Sequence, residues 1–248
     1  MCRRSADCFA ASYGAALTPS STCCHGRYGV AGINTAPCSA ITGAEAAYRQ
    51  FPYIYGCSTN RIAFLTSKKV DLVFANFTIT DERKKEVDFS TPYFASGTQF
   101  IAKKGTLKSP EQLNDLRIGA DKGTTNEQQV RAQFPRATIV AYDDTPFAFA
   151  ALRTGNVQAI TQDGPKLVGL LANVPDRDKY EIPAFTISND YEGVGVPKGE
   201  PRLLSFVNDT LTGLEANGTA SRIYDQWFGP KSRAPLPRLF KIGDPQKS

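Results

Sequence analysis

Between residues 116 and 163 the chain alternates short apolar runs with helical segments, and few architectures accommodate that alternation. An apolar run at 116–120 leads into the loop Asp121-Lys122-Gly123-Thr124-Thr125-Asn126 and a helical stretch that stops at Pro135. A second run at 137–142 precedes a helix that Asp144 or Thr145 caps, with Pro146 at its first position and Gly155 past its end. A third run at 157–161 leads to Gln162-Asp163-Gly164, after which Pro165 opens another helix. Strand–helix–strand–helix–strand with connections of about 15 residues is the signature of a parallel α/β sheet.

Flanking segments extend this pattern. Ile62, Phe64 and Leu65 have helical spacing, and 70–75 reads as a short buried strand. Thr80 is the expected N-cap of the charged helix that follows, with Asp81 and Glu82 in its first turn and able to pair with Lys85. The chain looks extended over 187–196. Pro201 then opens a helix ended by Asn217-Gly218, and a last helix carries Ile223 and Trp227. The Pro- and Lys/Arg-rich tail from 229 to 248 is expected to be a surface strap or disorder.

The first 57 residues read differently. All six cysteines and the single histidine lie there, without any lysine, and the charges are limited to Arg3, Arg4, Asp7, Arg27, Glu45 and Arg49. Cys23-Cys24-His25 with Cys38 fits no zinc-ligand spacing. Arg3 and Arg4 imitate the basic start of a secretory leader, but Asp7 and Cys8 interrupt it before any apolar stretch. Residues 1–57 are therefore expected to be atypical and foreign to the fold. A wrong-frame translation and a misannotated start are the origins left open. No run approaches the roughly 18 apolar residues of a membrane helix, so a soluble chain is expected. The net charge of +5 comes without the basic block that nucleic-acid binding would need.

Ligands of open α/β sheets sit outside the carboxyl ends of the strands. Three groups of residues fall at such ends: Asn76 to Arg83, then Thr124 and Thr125, then Asp163. Arg83 offers a planar fork suited to a carboxylate. Thr78, Thr124 and Thr125 supply hydroxyl and backbone donors at helix starts, where anions are favoured. Asp163 supplies a negative charge for a cation. Taken singly, each is as well read as a cap, a turn or a surface residue. Held by separate loops, an anion site and a cation site together describe a zwitterion such as a free α-amino acid. The chain beyond residue 57 has no histidine or cysteine for a nucleophile or metal set, and neither Gly-rich nucleotide loop. Binding without catalysis is the economical expectation: no catalytic residue, no metal, no cofactor.

The stretch NRIAFLTSKKVDLVFANFTITDERKKEVDFSTPYF at 60–94 resembles the family-3 solute-binding proteins of amino-acid ABC importers. The likeness continues through GTTNE at 123–127, LRTGNVQAITQD at 152–163, GVGVPKGEP at 193–201 and YDQWF at 224–228. Within that family the chain looks nearest to glutamate/aspartate or general amino-acid binders. The resemblance implies a two-lobed type II periplasmic-binding-protein fold, with crossings near 95–102 and 187–194. Lobe 1 would comprise 58–98 and 191–228, and lobe 2 would comprise 99–190. By position, Arg83 would clamp the ligand α-carboxylate with Thr78 and the Thr124 and Thr125 amides, Asp163 would take the α-ammonium, and Asn76 would contribute at its loop. The implied partners are a small-molecule amino acid and an ABC permease at the inner membrane, with the protein a periplasmic monomer.

The family begins lobe 1 with a strand, an aromatic loop and a Gly-x-x-x-Asp helix, none of them recognisable in 1–57. Two alternatives share the fold, an enzyme of the cyclohexadienyl-dehydratase kind and a ligand-sensing domain. The first needs a catalytic carboxylate or histidine facing the cleft. The second needs attached signalling segments.

Overall fold

The computed structural model describes residues 31–32 and 58–244. Expectations for the rest of 1–57, and for the last four residues of the tail, lie outside the described residues. The chain divides into two compact units. Unit 1 contains residues 1–56, 60–95 and 191–248, and unit 2 contains 57–59 and 96–190.

Unit 1 is built on a four-stranded sheet of order β1–β2–β11–β3, formed by β1 (Ala31–Gly32), β2 (Val73–Phe74), β3 (Val87–Phe89) and β11 (Gly195–Pro197). β1 runs parallel to β2, whereas β11 is antiparallel to both its neighbours. The short strand β1 falls inside the segment set apart by composition. A two-residue parallel pairing uses backbone groups alone, so Ala31-Gly32 carries no side-chain period by which it could be read. Expected over 70–75, β2 is confined to two residues. Val70, Ala75 and Phe77 are nevertheless buried with Leu65, Val73 and Val87 in one apolar cluster. Helix α1 (Arg61–Thr66) contributes Leu65 to it. Gly195 is required there, because an added Cβ would lie 2.7 Å from the Phe77 ring and 3.0 Å from Leu65.

Helix α2 (Asp81–Glu86) is capped as expected, the Thr80 hydroxyl accepting the Arg83 N–H at 3.2 Å. The first-turn acid pairs with a different lysine from the one expected: Asp81 meets Lys84, one turn on at i+3, at 3.2 Å. Helices α6 (Pro201–Ala216) and α7 (Thr219–Phe228) complete the unit.

The tail is a strap. Phe240 is buried, its ring 4.7 Å from that of Phe94 and 5.8 Å from that of Tyr224. Arg238 fastens it, reaching both Glu215 oxygens (3.0 and 2.5 Å) and the Ser221 hydroxyl (2.9 Å). Burial disfavours the Glu215 carboxylate, but the Arg238 and Ile242 hydrogen bonds outweigh it and lower its pKa. Tyr224, buried beside this pair, is pushed up to about 12, chiefly by burial. Arg238→Ala would strand a largely buried carboxylate and is expected to cost about 2–3 kcal/mol in denaturant unfolding. A group with a lowered folded pKa stabilises above its unfolded value. The difference between variant and wild type should therefore shrink as pH falls below about 4.

Unit 2 holds a five-stranded sheet of order β7–β6–β8–β5–β9, from β5 (Thr98–Lys103), β6 (Arg117–Asp121), β7 (Thr138–Tyr142), β8 (Ala159–Asp163) and β9 (Tyr180–Glu181). β6 lies parallel to both β7 and β8, as the alternation predicts, while β5 is antiparallel to β8 and β9. Helices α3 (Thr125–Gln133), α4 (Thr145–Thr154) and α5 (Gly164–Ala172) fill the connections. Asp144 caps α4, accepting the Phe147 N–H, and Gly155 ends it in the left-handed conformation at φ 80°. Phe100, Leu113, Ile118, Val130 and Ala159 anchor the unit's core.

Beyond residue 60 the chain passes between units at 95–96 and 190–191. The strands there, β4 (Phe94–Ser96) and β10 (Asp190–Glu192), pair as a two-stranded sheet.

Candidate functional site

In unit 1 the chain leaves β2 through Asn76 and Phe77, and Thr78 forms a bridge with Glu192 of β10. Thr78 is buried at 5% exposure. The Arg83 guanidinium turns back over the start of its own helix. Its Nη1 donates to the Thr78 carbonyl at 2.7 Å, and its Cζ sits 5.0 Å from the Phe77 ring centroid. Aromatic and carbonyl together fix the fork's direction. Asn76, Thr78 and Arg83 are thus brought together by one strand–turn–helix unit.

A second guanidinium lies in the same neighbourhood and had not been anticipated. Arg61, buried, donates to the Asn76 carbonyl and lies 5.9 Å from the Phe77 ring centroid. Two arginines therefore share one phenylalanine, and the loop that carries Asn76 is held by the first of them. An arginine opening a helix whose other face is apolar was the available signal. Its burial is legible only once α1 is packed.

In unit 2 the expected residues fall at the carboxyl ends of β6 and β8. Thr124 caps α3. Its hydroxyl accepts from Glu127 N–H at 3.3 Å and donates to the Asp121 carbonyl at 2.7 Å, so that hydroxyl is turned to the helix rather than outward. Thr125 is the first helical residue and is buried. Asp163 was expected in the turn after its strand but is the last residue of β8, which runs two residues beyond its apolar stretch. It is 3% exposed, sits at the N-cap position of α5 without making a side-chain cap, and accepts from Asn126 Nδ2 at 3.1 Å.

Beside it stands an ion pair that sequence reasoning passed over. Asp121, the last residue of β6, is 3% exposed, and its Oδ2 receives Thr145 Oγ1 (2.7 Å), Gln162 Nε2 (2.7 Å) and Lys166 Nζ (3.0 Å). The rule that singled out Asp163 applies to Asp121 as well. Its strand simply ends one residue later than the apolar run. Two carboxylates thus occupy the carboxyl ends of adjacent parallel strands, one neutralised by a lysine and the other bonded to an uncharged amide. Among the described residues no group of three or more His, Cys, Asp or Glu could hold a metal ion. No helix among them is long and apolar enough to cross a membrane.

The profile of the bacterial extracellular solute-binding proteins, family 3, matches residues 30–230. The chain belongs to this family. As a family-3 solute-binding protein it has the α/β type II periplasmic-binding-protein fold expected from the sequence. The match begins at residue 30, so it takes in β1 and part of the segment that composition sets apart.

The L-cystine-binding protein TcyJ of Escherichia coli is 36% identical over 171 residues, 68% of this chain and 64% of that protein. The ABC transporter glutamine-binding protein GlnH of Bacillus subtilis is 34% identical over 173 residues, 69% of this chain and 62% of its own length. In each case the match spans less than two thirds of the relative. Among solved structures, an ancestral arginine-binding protein bound to glutamine aligns with TM-score 0.67 at 35% identity, over 71% of this chain and 78% of that one. These relatives are named for binding amino acids.

Proposed function

We propose that this chain is the substrate-binding component of an amino-acid ABC importer. It captures a free α-amino acid, with glutamate, aspartate or another polar amino acid as the class. The observation that carries the reading is the division of opposite charges between two strand-end clusters. Arg83 is aimed by Thr78 and Phe77 in unit 1, and the buried carboxylate Asp163 ends β8 in unit 2. Arg83 clamps the α-carboxylate, with Thr78, Asn76 and the Thr124 and Thr125 amides around it, and Asp163 takes the α-ammonium.

The two lobes close by bending at the paired crossings, as ligand-clamping proteins do. The protein works outside the inner membrane, in the periplasm, as a monomer that hands its ligand to a permease. Catalysis has no part in this reading, which agrees with relatives named as binding proteins.

Thermal denaturation with each common amino acid in turn tests it. Saturation at about a hundred times Kd adds nearly 3 kcal/mol to the native state, so one chemical class should raise Tm by several degrees. No shift with any amino acid would contradict the uptake role.

A further inference from the structure

A line of buried hydrogen bonds runs within unit 2 from Asp163 to the residues at both crossings. Asn126, 2% exposed, donates through Nδ2 to Asp163 Oδ1 at 3.1 Å and to Thr98 Oγ1 at 2.8 Å. Thr98, fully buried, passes its own hydroxyl hydrogen to Gln129 Oε1 at 2.5 Å. Gln129 Nε2 donates in turn to Asp190 Oδ1 at 3.0 Å. Ser188 closes the far end, donating to Asp190 Oδ2 at 2.5 Å and accepting the Thr98 N–H at 2.9 Å.

The chemistry of each member fixes the direction of the line. Asp163 is a carboxylate, so only the amino group of Asn126 can face it, and that group has two hydrogens to give. The second goes to Thr98, whose hydroxyl both accepts and donates. Gln129 accepts with its oxygen and donates with its nitrogen. Every donor after Asn126 therefore points toward Asp190, and uncharged groups connect two carboxylates. Such chains polarise along their length, and each bond depends on the next.

Thr98 is the first residue of β5, just past the first crossing, and Asp190 opens β10 at the second. Asn126 and Gln129 lie three residues apart on α3 and so face the same side.

We propose that Asn126 and Gln129 are positioning residues for ligand capture, setting the Asp163 carboxylate and coupling its occupation to the strands that cross between units. The proposal rests on the reading that Asp163 receives the ligand ammonium. An ammonium at Asp163 draws charge from the oxygen that Asn126 holds, which changes the first bond of the line. By linkage, the state of the line then enters the affinity for the ammonium.

The test is a double-mutant cycle by calorimetric titration of the full chain with the amino acid that shifts Tm most. Gln129→Met keeps the length of the side chain and removes both its polar atoms at a half-buried helix position. It is expected to weaken binding by about tenfold in the wild-type background and to have little effect when Asp163→Asn is already present. Asn126→Leu should behave in the same way. Equal effects of Gln129→Met in both backgrounds would overturn the proposal. So would a lowered Tm of the ligand-free protein with affinity unchanged, since a merely structural bond gives that result. Failure of the wild-type chain to bind any amino acid would overturn the binding reading and the relay together. Normal wild-type binding with an unaffected Gln129→Met would overturn the relay alone.

Discussion

Arg83→Ala is expected to weaken amino-acid binding roughly a hundredfold, while Lys84→Ala leaves it within twofold of wild type. The two residues are neighbours on one short helix with the same charge, so their difference isolates direction from charge. Lys84 is exposed and pairs with Asp81 at 3.2 Å, a surface contact worth little. Arg83 is turned the other way, against the Thr78 carbonyl and the Phe77 ring. Its cap bond to Thr80 is made by the backbone N–H, so alanine keeps the helix start intact. What alanine removes is a pre-aimed fork that can meet both oxygens of a carboxylate. Arg83→Lys should fall between the two, because it restores the charge without the fork. Calorimetric titration of the three variants decides the matter. Equal losses in Arg83→Ala and Lys84→Ala would reject Arg83 as the clamp.

The second large effect concerns Glu192, a residue that sequence reading did not single out. It lies on β10 and is fully buried, and burial pushes its pKa well above the ordinary carboxylate range. A carboxyl group with a raised folded pKa stabilises the native state fully below its unfolded value near 4.3. It loses that contribution as pH rises through the folded value. The contribution of Glu192 to wild-type stability should therefore decline from acid toward neutral and alkaline pH. Glu192→Gln, uncharged at every pH, should have a higher Tm than wild type at pH 8. At pH 4 the two should converge. This dependence runs opposite to that of the Arg238–Glu215 pair, so a scan of both variants separates them. A Glu192→Gln protein less stable than wild type at pH 8 would mean that Glu192 is held as a carboxylate.

The α/β class was legible because the chemistry that writes it is local. Pro146 and Asp144 open α4, Gly155 closes it in a conformation that glycine adopts without strain, and apolar runs fill the strands between. Thr80 capped its helix for the same reason. Strand ends were less legible. The apolar runs stop before β6 and β8 do, because Asp121, Gln162 and Asp163 continue the strands as polar residues whose hydrogen bonds come from other elements. A side chain satisfied from 24 or 41 residues away looks like a turn residue when read in line.

For the same reason Arg61, Glu192 and the Asn126–Gln129 relay escaped notice, since their partners are set by packing and not by spacing. The strap was half legible. Its composition suggested a surface segment, but the grip of Arg238 on Glu215 is a contact across 23 residues that no periodicity announces.

In the proposed function two charged groups, Arg83 and Asp163, together recognise a zwitterion. The most direct measurement is calorimetric titration of the wild-type chain with its best amino acid, the matching α-hydroxy acid, and the matching amine without the carboxylate. Both analogues should bind at least about thirtyfold more weakly than the amino acid, because each leaves a charged group of the site without its partner. The hydroxy-acid loss should disappear in Asp163→Asn, and the amine loss in Arg83→Ala. Equal affinity for all three ligands in the wild-type chain would contradict recognition of a zwitterion by this pair.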